Sequence, residues 1–388
     1  MYRSCYAKTC ALLLWPLVVV LLLVYLVLAY VLSVLLTLLY IPRLFAVQKL
    51  YWCCPFIPQI WEAQTWFKRQ CMRVGFESTY TINVLRRILT LPIRPHLPDF
   101  YIVGFPKAGT TSLANQLKQH PALSGVDGLP WHESLSKESH FFNGVLGRSH
   151  ASSALLYRSF FPTILCRWWS ENIRGVEKWM CFDACPVTAC LPYTARRMKA
   201  ITPDAKLIFM MRDPVPVMFS AETMLVNMGV ALTWSMVDPM TIHDPRFQEN
   251  EEEAQLWKDL KDLQPSDPLP HNMPELFYTH LHSLLMCGQY ADRIHPFLQE
   301  FPRANMMFID FNEFTKNTQG VVKEVCSFVG ADPALYKHKE LPPGMKTEYQ
   351  GRRMHPSVKQ HLTTYFKQSN NMLYSMLHRN FHWTDVEQ

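Results

Sequence analysis

Apolar and polar positions divide the chain into two unequal regimes. From Ala11 to Ile41 no residue is charged (ALLLWPLVVVLLLVYLVLAYVLSVLLTLLYI), and no polar face interrupts the run. A helix crosses a bilayer core with roughly 20 apolar residues, whereas a cleaved signal segment has an apolar core of only about 7–15. The pattern therefore predicts one N-terminal transmembrane helix over 11–41, after a short tail over 1–10. Arg3 and Lys8 precede the run and Arg43 and Lys49 follow it, so flanking charge leaves the orientation open. Residues 42–97, rich in Trp, Phe, Arg and Pro, read as a juxtamembrane stem lying partly on the bilayer surface.

Past Leu97 the pattern changes. Asp99–Val103 (DFYIV) is a short apolar run between Pro98 and Gly104, the signature of a buried strand. Lys206–Met211 (KLIFMM) and Met306–Phe311 (MMFIDF) repeat it, each followed by helical spacing. These segments predict an α/β domain over 98–388, with a central parallel sheet of P-loop-like type flanked by helices. A helix over Val321–Val329 is expected to stop at Gly330. Leu362, Tyr365, Phe366, Met372, Leu373 and Leu377 form the apolar stripe of a closing helix. Residues 230–280 are acidic and Pro-rich and read as an insertion or lid near the acceptor.

Composition adds little beyond this. A hydrophobic content of 49% and an aromatic content of 13% mark a folded chain. The net charge of +6 permits an anionic partner but gives no argument for nucleic acid. Of eleven cysteines, Cys166, Cys181, Cys185 and Cys190 cluster in mid-chain. They are compatible with a disulfide or with free buried thiols, and their spacing matches no common zinc pattern. Arg196, Arg197 and Lys199 read as solvated bases near a helix end.

The segment after the first strand carries the chemistry. Gly104-Phe-Pro-Lys-Ala-Gly-Thr-Thr-Ser112 leads into a helix that ends near His120-Pro121. A strand, a glycine-bearing loop and a helix start make an anion site, because the first-turn N–H groups have no intrahelical partner and the helix dipole favours negative charge. Gly104 and Gly109 allow close backbone approach, Lys107 adds a charge, and Thr110, Thr111 and Ser112 add hydroxyls. The glycines have the spacing of the nucleotide-triphosphatase loop, but Thr110 stands where that loop has its lysine. The altered order favours a phosphate cradled without an essential metal. Further on, Arg212 leaves the carboxyl end of the second strand and Ser220 follows on the next helix. An arginine there offers a bidentate fork to a second phosphate.

FYIVGFPKAGTTSL resembles the 5′-phosphosulfate loop of sulfotransferases that use 3′-phosphoadenosine-5′-phosphosulfate (PAPS). KESHFFNG at Lys137–Gly144 and YRSFFP at Tyr157–Pro162 resemble the heparan-sulfate, or carbohydrate, type. The resemblance covers roughly 99–383, interrupted at 230–280. It implies that Lys107, Ala108, Gly109, Thr110, Thr111 and Ser112 hold the 5′ side of PAPS and that Arg212 and Ser220 hold its 3′-phosphate. By the same resemblance Gly351 and Arg352 close over the donor, with Gln350 in place of a common lysine. The family's cysteine pair around that loop is missing. Lys178 stands where the family often has Glu-Lys, but Trp179-Met180 follow it in place of Ser/Thr-Pro.

Sulfuryl transfer to a hydroxyl needs a proton acceptor within reach, and the resemblance assigns that role to Glu138, beside Phe141 and Phe142, with Lys107 at the leaving oxygen. The implied protein is a Golgi enzyme of single-pass type II topology with a luminal catalytic domain. It sulfates a hydroxyl, or an amine, of a glycan. A lipid or small-molecule acceptor, a P-loop phosphotransfer protein and a non-catalytic scaffold stay open as alternatives, as does oligomeric state.

Overall fold

The computed structural model describes residues 89–126, 137–142, 153–227, 234–243, 251–265, 281–340 and 351–383, with isolated positions elsewhere. The chain divides into two compact units, Met1–Pro95 and His96–Gln388. Most of the 11–41 run, and residues 42–86 of the 42–97 stem, lie outside the described residues. The positions described within that run, Val20, Val24, Val27, Leu28, Val31 and Leu32, are helical, and each is 44–64% exposed. Among the described residues no helix is long and apolar enough to cross a membrane.

The second unit is built on five strands: β1 (Phe100–Gly104), β2 (Leu123–Ser124), β3 (Met180–Asp183), β4 (Lys206–Met211) and β5 (Met306–Asp310). Their spatial order is β2-β3-β1-β4-β5, and every neighbouring pair is parallel. The strands are largely buried and mostly apolar because helices and loops cover both faces. Phe100 stacks on Phe182 at 5.0 Å and Phe209 on Phe308 at 5.1 Å, binding neighbouring strands through their side chains. β1, β4 and β5 match the three predicted strands. β2 and β3 were not legible, for both are too short to carry a periodicity of their own.

Among the described helices, α1 (Thr110–Leu117) follows β1, α2 (Ala154–Arg158) and α3 (Ile164–Asn172) precede β3, and α4 (Thr194–Ile201) precedes β4. α5 (Pro214–Asn227) follows β4, and α6 (Glu251–Asp262) lies in the acidic segment, about half of which is outside the described residues. α7 (Leu281–Gly288) and α8 (Tyr290–Glu300) precede β5; α9 (Phe311–Lys316), α10 (Thr318–Val329) and α11 (Pro356–Leu377) follow it. α10 starts three residues before the predicted point because the Asn317 side chain accepts from Gly320 N at 3.0 Å. Gly330, at φ 91°, ends it as predicted.

Chain order runs from β1 toward β2 on one side of the sheet and from β4 to β5 on the other. The carboxyl ends of β1 and β4 therefore flank a topological switch point, where open α/β sheets leave a crevice. The β1–β4 register slips between Ile102 and Gly104, where β1 turns into its loop. A second apolar cluster, around Met218 on α5 and Leu362 and Phe366 on α11, supports the Gly351–His355 segment, whose His355 N donates to the Met236 carbonyl at 2.9 Å.

Two sequence expectations are corrected here. Arg197 is 1% exposed rather than solvated, and its guanidinium donates to the Asp267 carbonyl at 2.5 Å. Met372 is 48% exposed, because Leu362, Phe366, Leu373 and Leu377 already occupy the buried face of α11. Cys166, Cys181, Cys185 and Cys190 are all free thiols.

Candidate functional site

The loop between β1 and α1 is shaped by two residues at positive φ, Lys107 (61°) and Gly109 (88°). A side chain at 109 is unfavourable on two counts. The left-handed backbone favours glycine, and a Cβ there would lie 2.9 Å from the Phe311 ring. Around Gly109, Ala108 and Thr110 are buried, and Thr111 and Ser112 are half-buried at the first turn of α1. This turn presents unpaired N–H groups and hydroxyls together, the chemistry that cradles a phosphate.

Arg212 completes the junction from β4. Its Nη1 donates to the Lys107 carbonyl at 3.4 Å, and its guanidinium carbon lies 4.6 Å from the Phe311 ring centroid. Phe311 thus backs both Gly109 and Arg212. Nothing in the local sequence marks it, since its role depends on β5 lying next to β4. Tyr290 hydroxyl donates to the Arg212 carbonyl at 2.8 Å, fixing the strand end from α8. The Asp213 side chain accepts from Val215 N at 3.0 Å and starts α5; burial raises its carboxyl to about 6.

The Lys107 ammonium contacts α5. It lies 3.5 Å from the Met224 thioether, beside a small apolar cavity of about 50 Å³ between the loop and α5. Burial, aided by the charge of Arg212, lowers it to about 8. An ammonium held in such surroundings gains strongly from a phosphate oxygen brought within reach.

Glu138 sits at the carboxyl end of β3, the strand next to β1. Ala184 N donates to the Lys137 carbonyl at 2.9 Å, so the segment is pinned where β3 ends. Asp183, the last residue of β3, accepts from Ser139 N at 3.1 Å, from the Ser139 hydroxyl and from the Tyr157 hydroxyl at 2.7 Å. Phe141 stacks on Tyr157 at 4.4 Å. This scaffold leaves the Glu138 side chain 15% exposed, in contact with the Lys137 ammonium and 3.3 Å from His140 Nε2. His140 Nδ1 lies 3.7 Å from Cys185 Sγ. Glu138, His140 and Cys185 each bring a ligand-type atom within 4.8 Å of the others, but His140 already engages both neighbours through opposite ring nitrogens.

Ser220 is buried within α5. Arg352 does something the sequence did not reveal. Its Nη2 meets Glu222 Oε1 at 2.5 Å on the same helix as Ser220. Glu222 is fully buried and also accepts from the Ser235 hydroxyl at 2.9 Å and Met236 N at 3.3 Å. Gly351, at φ 78°, turns the chain into this contact and is exposed. Lys178 is exposed, away from these contacts.

The structure therefore brings Lys107 to Arg212 and sets Glu138 at the end of the adjoining strand, so that three neighbouring strand ends, β3, β1 and β4, carry the three charged groups. Arg352 reaches Glu222 on α5 from a distant part of the chain.

Known proteins similar to this chain are sulfotransferases. The sulfotransferase domain family profile matches residues 97–342, well over half of the chain. The membrane-associated sulfotransferase kil1 of Dictyostelium discoideum is 24% identical over 338 residues, covering 74% of this chain and 66% of that protein. The heparan sulfate glucosamine 3-O-sulfotransferase 3A1 of Mus musculus is 24% identical over 307 residues, covering 74% of this chain and 64% of that protein. The chain thus spans just under two thirds of the length of these two relatives. A solved sulfotransferase from Alicyclobacillus acidocaldarius has a TM-score of 0.48 at 23% identity, covering 75% of this chain and 99% of that one. The profile match over more than half of the chain settles the family: the chain is a member of the sulfotransferase domain family.

Proposed function

We propose that this protein transfers a sulfuryl group from PAPS to a hydroxyl, or an amine, of a glycan. The observation that carries the reading is the junction of Lys107 and Arg212, 3.4 Å apart through the Lys107 carbonyl, at adjacent parallel strand ends. A nucleotide with phosphates at both its 5′ and 3′ positions matches two anion-binding groups so arranged. On this reading residues 107–112 hold the 5′-phosphosulfate, Arg212 and Ser220 the 3′-phosphate, and Gly351 and Arg352 close the donor site.

Glu138 accepts the proton of the acceptor hydroxyl as its oxygen attacks sulfur. The bond between sulfur and the bridging oxygen of the 5′-phosphate breaks, and that oxygen takes the leaving electron pair. The Lys107 ammonium swings from Met224 to this oxygen and stabilises its charge more in the transition state than before it. The products are a sulfate ester and adenosine 3′,5′-bisphosphate (PAP). Relatives named for sulfation of heparan sulfate glucosamine support a glycan acceptor. No metal takes part in this scheme.

The uncharged 11–41 run and a relative named as membrane-associated support a bilayer anchor. We assign a single-pass type II arrangement, with the catalytic domain in the Golgi lumen. The test is incubation of the full chain with radiolabelled PAPS and a panel of glycans, lipids and small phenols, with and without a chelator. Label in a glycan, undiminished by chelation, is the expected result. Label confined to lipid or phenol overturns the acceptor, and magnesium-dependent ATP binding without PAP binding overturns the donor.

A further inference from the structure

α3 is built the wrong way round for a helix packed on a water-soluble domain. Its one buried residue is the small, polar Ser170. Ile164, Leu165, Trp168, Trp169 and, just past its end, Ile173 are each 47–58% exposed. At 100° per residue these positions cover about half of the helix circumference, opposite Ser170. Water-facing helices normally turn such a stripe inward, and a contiguous exposed apolar patch marks an interaction surface.

Three observations say what covers it. Two adjacent tryptophans flanked by aliphatic side chains are the composition of a helix in the headgroup region of a bilayer. The rim is basic: between 154 and 179 the chain has Arg158, Arg167, Arg174 and Lys178 against Glu171 and Glu177. Glu171 is already bonded to Arg167 at 2.8 Å. Arg174 also lines, with Lys118 and Ser124, an open polar cleft of about 530 Å³. The third observation is position. The turn after α3 feeds the amino end of β3, and the second unit begins, at His96, at the same end of the sheet. There the His96 ring lies 5.0 Å from Trp179 and Asp99 accepts from Cys181 N at 2.9 Å. Lys107, Glu138 and Arg212 occupy the opposite, carboxyl end.

We propose that α3 is a second membrane contact. Its Trp168–Trp169–Ile173 face lies in the interfacial layer of a lipid leaflet, and Arg167, Arg174 and Lys178 face headgroup phosphates. The domain then stands with the amino end of its sheet on the bilayer and its catalytic cleft turned away, open to a polymeric acceptor. The proposal rests on reading residues 11–41 as an anchor.

The test uses the full chain in proteoliposomes of phosphatidylcholine, with or without phosphatidylserine. Carbonate extraction reports first on the anchor alone; protein released by it overturns the anchor reading and this proposal with it. A photoreactive benzoylphenylalanine (Bpa) is then placed by Trp169→Bpa and, as a control on α11, by Met372→Bpa. The expected result is a lipid adduct in the α3 peptide and none at the control position. Adding Arg174→Glu is expected to cut adduct yield about fivefold on anionic vesicles, the effect of a basic residue near a charged leaflet, and to change it little on neutral ones. Carbonate-resistant protein without a lipid adduct at position 169 overturns the proposal and leaves the anchor standing. A dimer-sized product joining two α3 peptides assigns the face to a second copy and also overturns it.

Discussion

Two carboxylates of the second unit, Glu138 and Glu222, meet opposite fates. Glu138 is 15% exposed and draws its partners, Lys137 and His140, from its own short segment. Glu222 is fully buried and draws its partners from elsewhere: Ser235, Met236 and, 130 positions away, Arg352. Glu138 stays partly open to solvent, with Oε1 on Lys137 and Oε2 beside His140. Glu222 has one oxygen shared among three donors, while Oε2 is buried without a partner. A carboxylate enclosed in this way holds a loop; one left open can exchange a proton. The comparison separates a catalytic candidate from a structural one when both are acids paired with a base.

The largest expected effect breaks the chemistry. Glu138→Gln is expected to lower turnover by at least about 10²-fold while PAP affinity is retained. Undiminished turnover, or an equal loss of PAP binding, removes Glu138 from the role of base. Glu222→Ala should act on the fold instead. It leaves the Arg352 guanidinium without its partner, and because Arg352 is 21% exposed the loss is expected at about 2 kcal/mol, below the range for fully buried pairs. Denaturant unfolding of the full chain measures this. A variant as stable as the parent would show that the ion pair holds nothing.

Arg212→Ala sharpens the donor half. PAP binding is expected to weaken about tenfold or more, with little change for an analogue lacking the 3′-phosphate. Equal losses for both ligands reject the 3′ assignment. The smallest effect is a pH dependence. Lys107 is held at about 8 by burial and by Arg212, and its charged form is the one that meets phosphate. PAP affinity is therefore expected to fall about tenfold from pH 7 to 9, with proton uptake on binding near pH 8–9. Calorimetry in buffers of different ionisation enthalpy tests this, and Lys107→Met should abolish it. The stability effect has the opposite sign. Between about 8 and the ordinary lysine value of 10.5 the unfolded chain binds more protons, so this group makes folding more favourable as pH rises.

The sequence by itself determined strands β1, β4 and β5, the phosphate-type loop and the strand-end arginine. Each is a local pattern: an apolar run long enough to show its period, a glycine where φ must be positive, a charge at a fixed offset from a strand end. Only the tertiary structure decided that β3 slots between β2 and β1, that Phe311 backs Gly109 and Arg212, and that Glu222 ties down Arg352. It alone showed Arg197 buried and the apolar side of α3 turned outward. The physical reason is range. Hydrogen bonding along the backbone and side-chain periodicity act over a few residues and leave a trace in the order of the chain, whereas burial and ion pairing depend on which surface packing brings up from a hundred residues away.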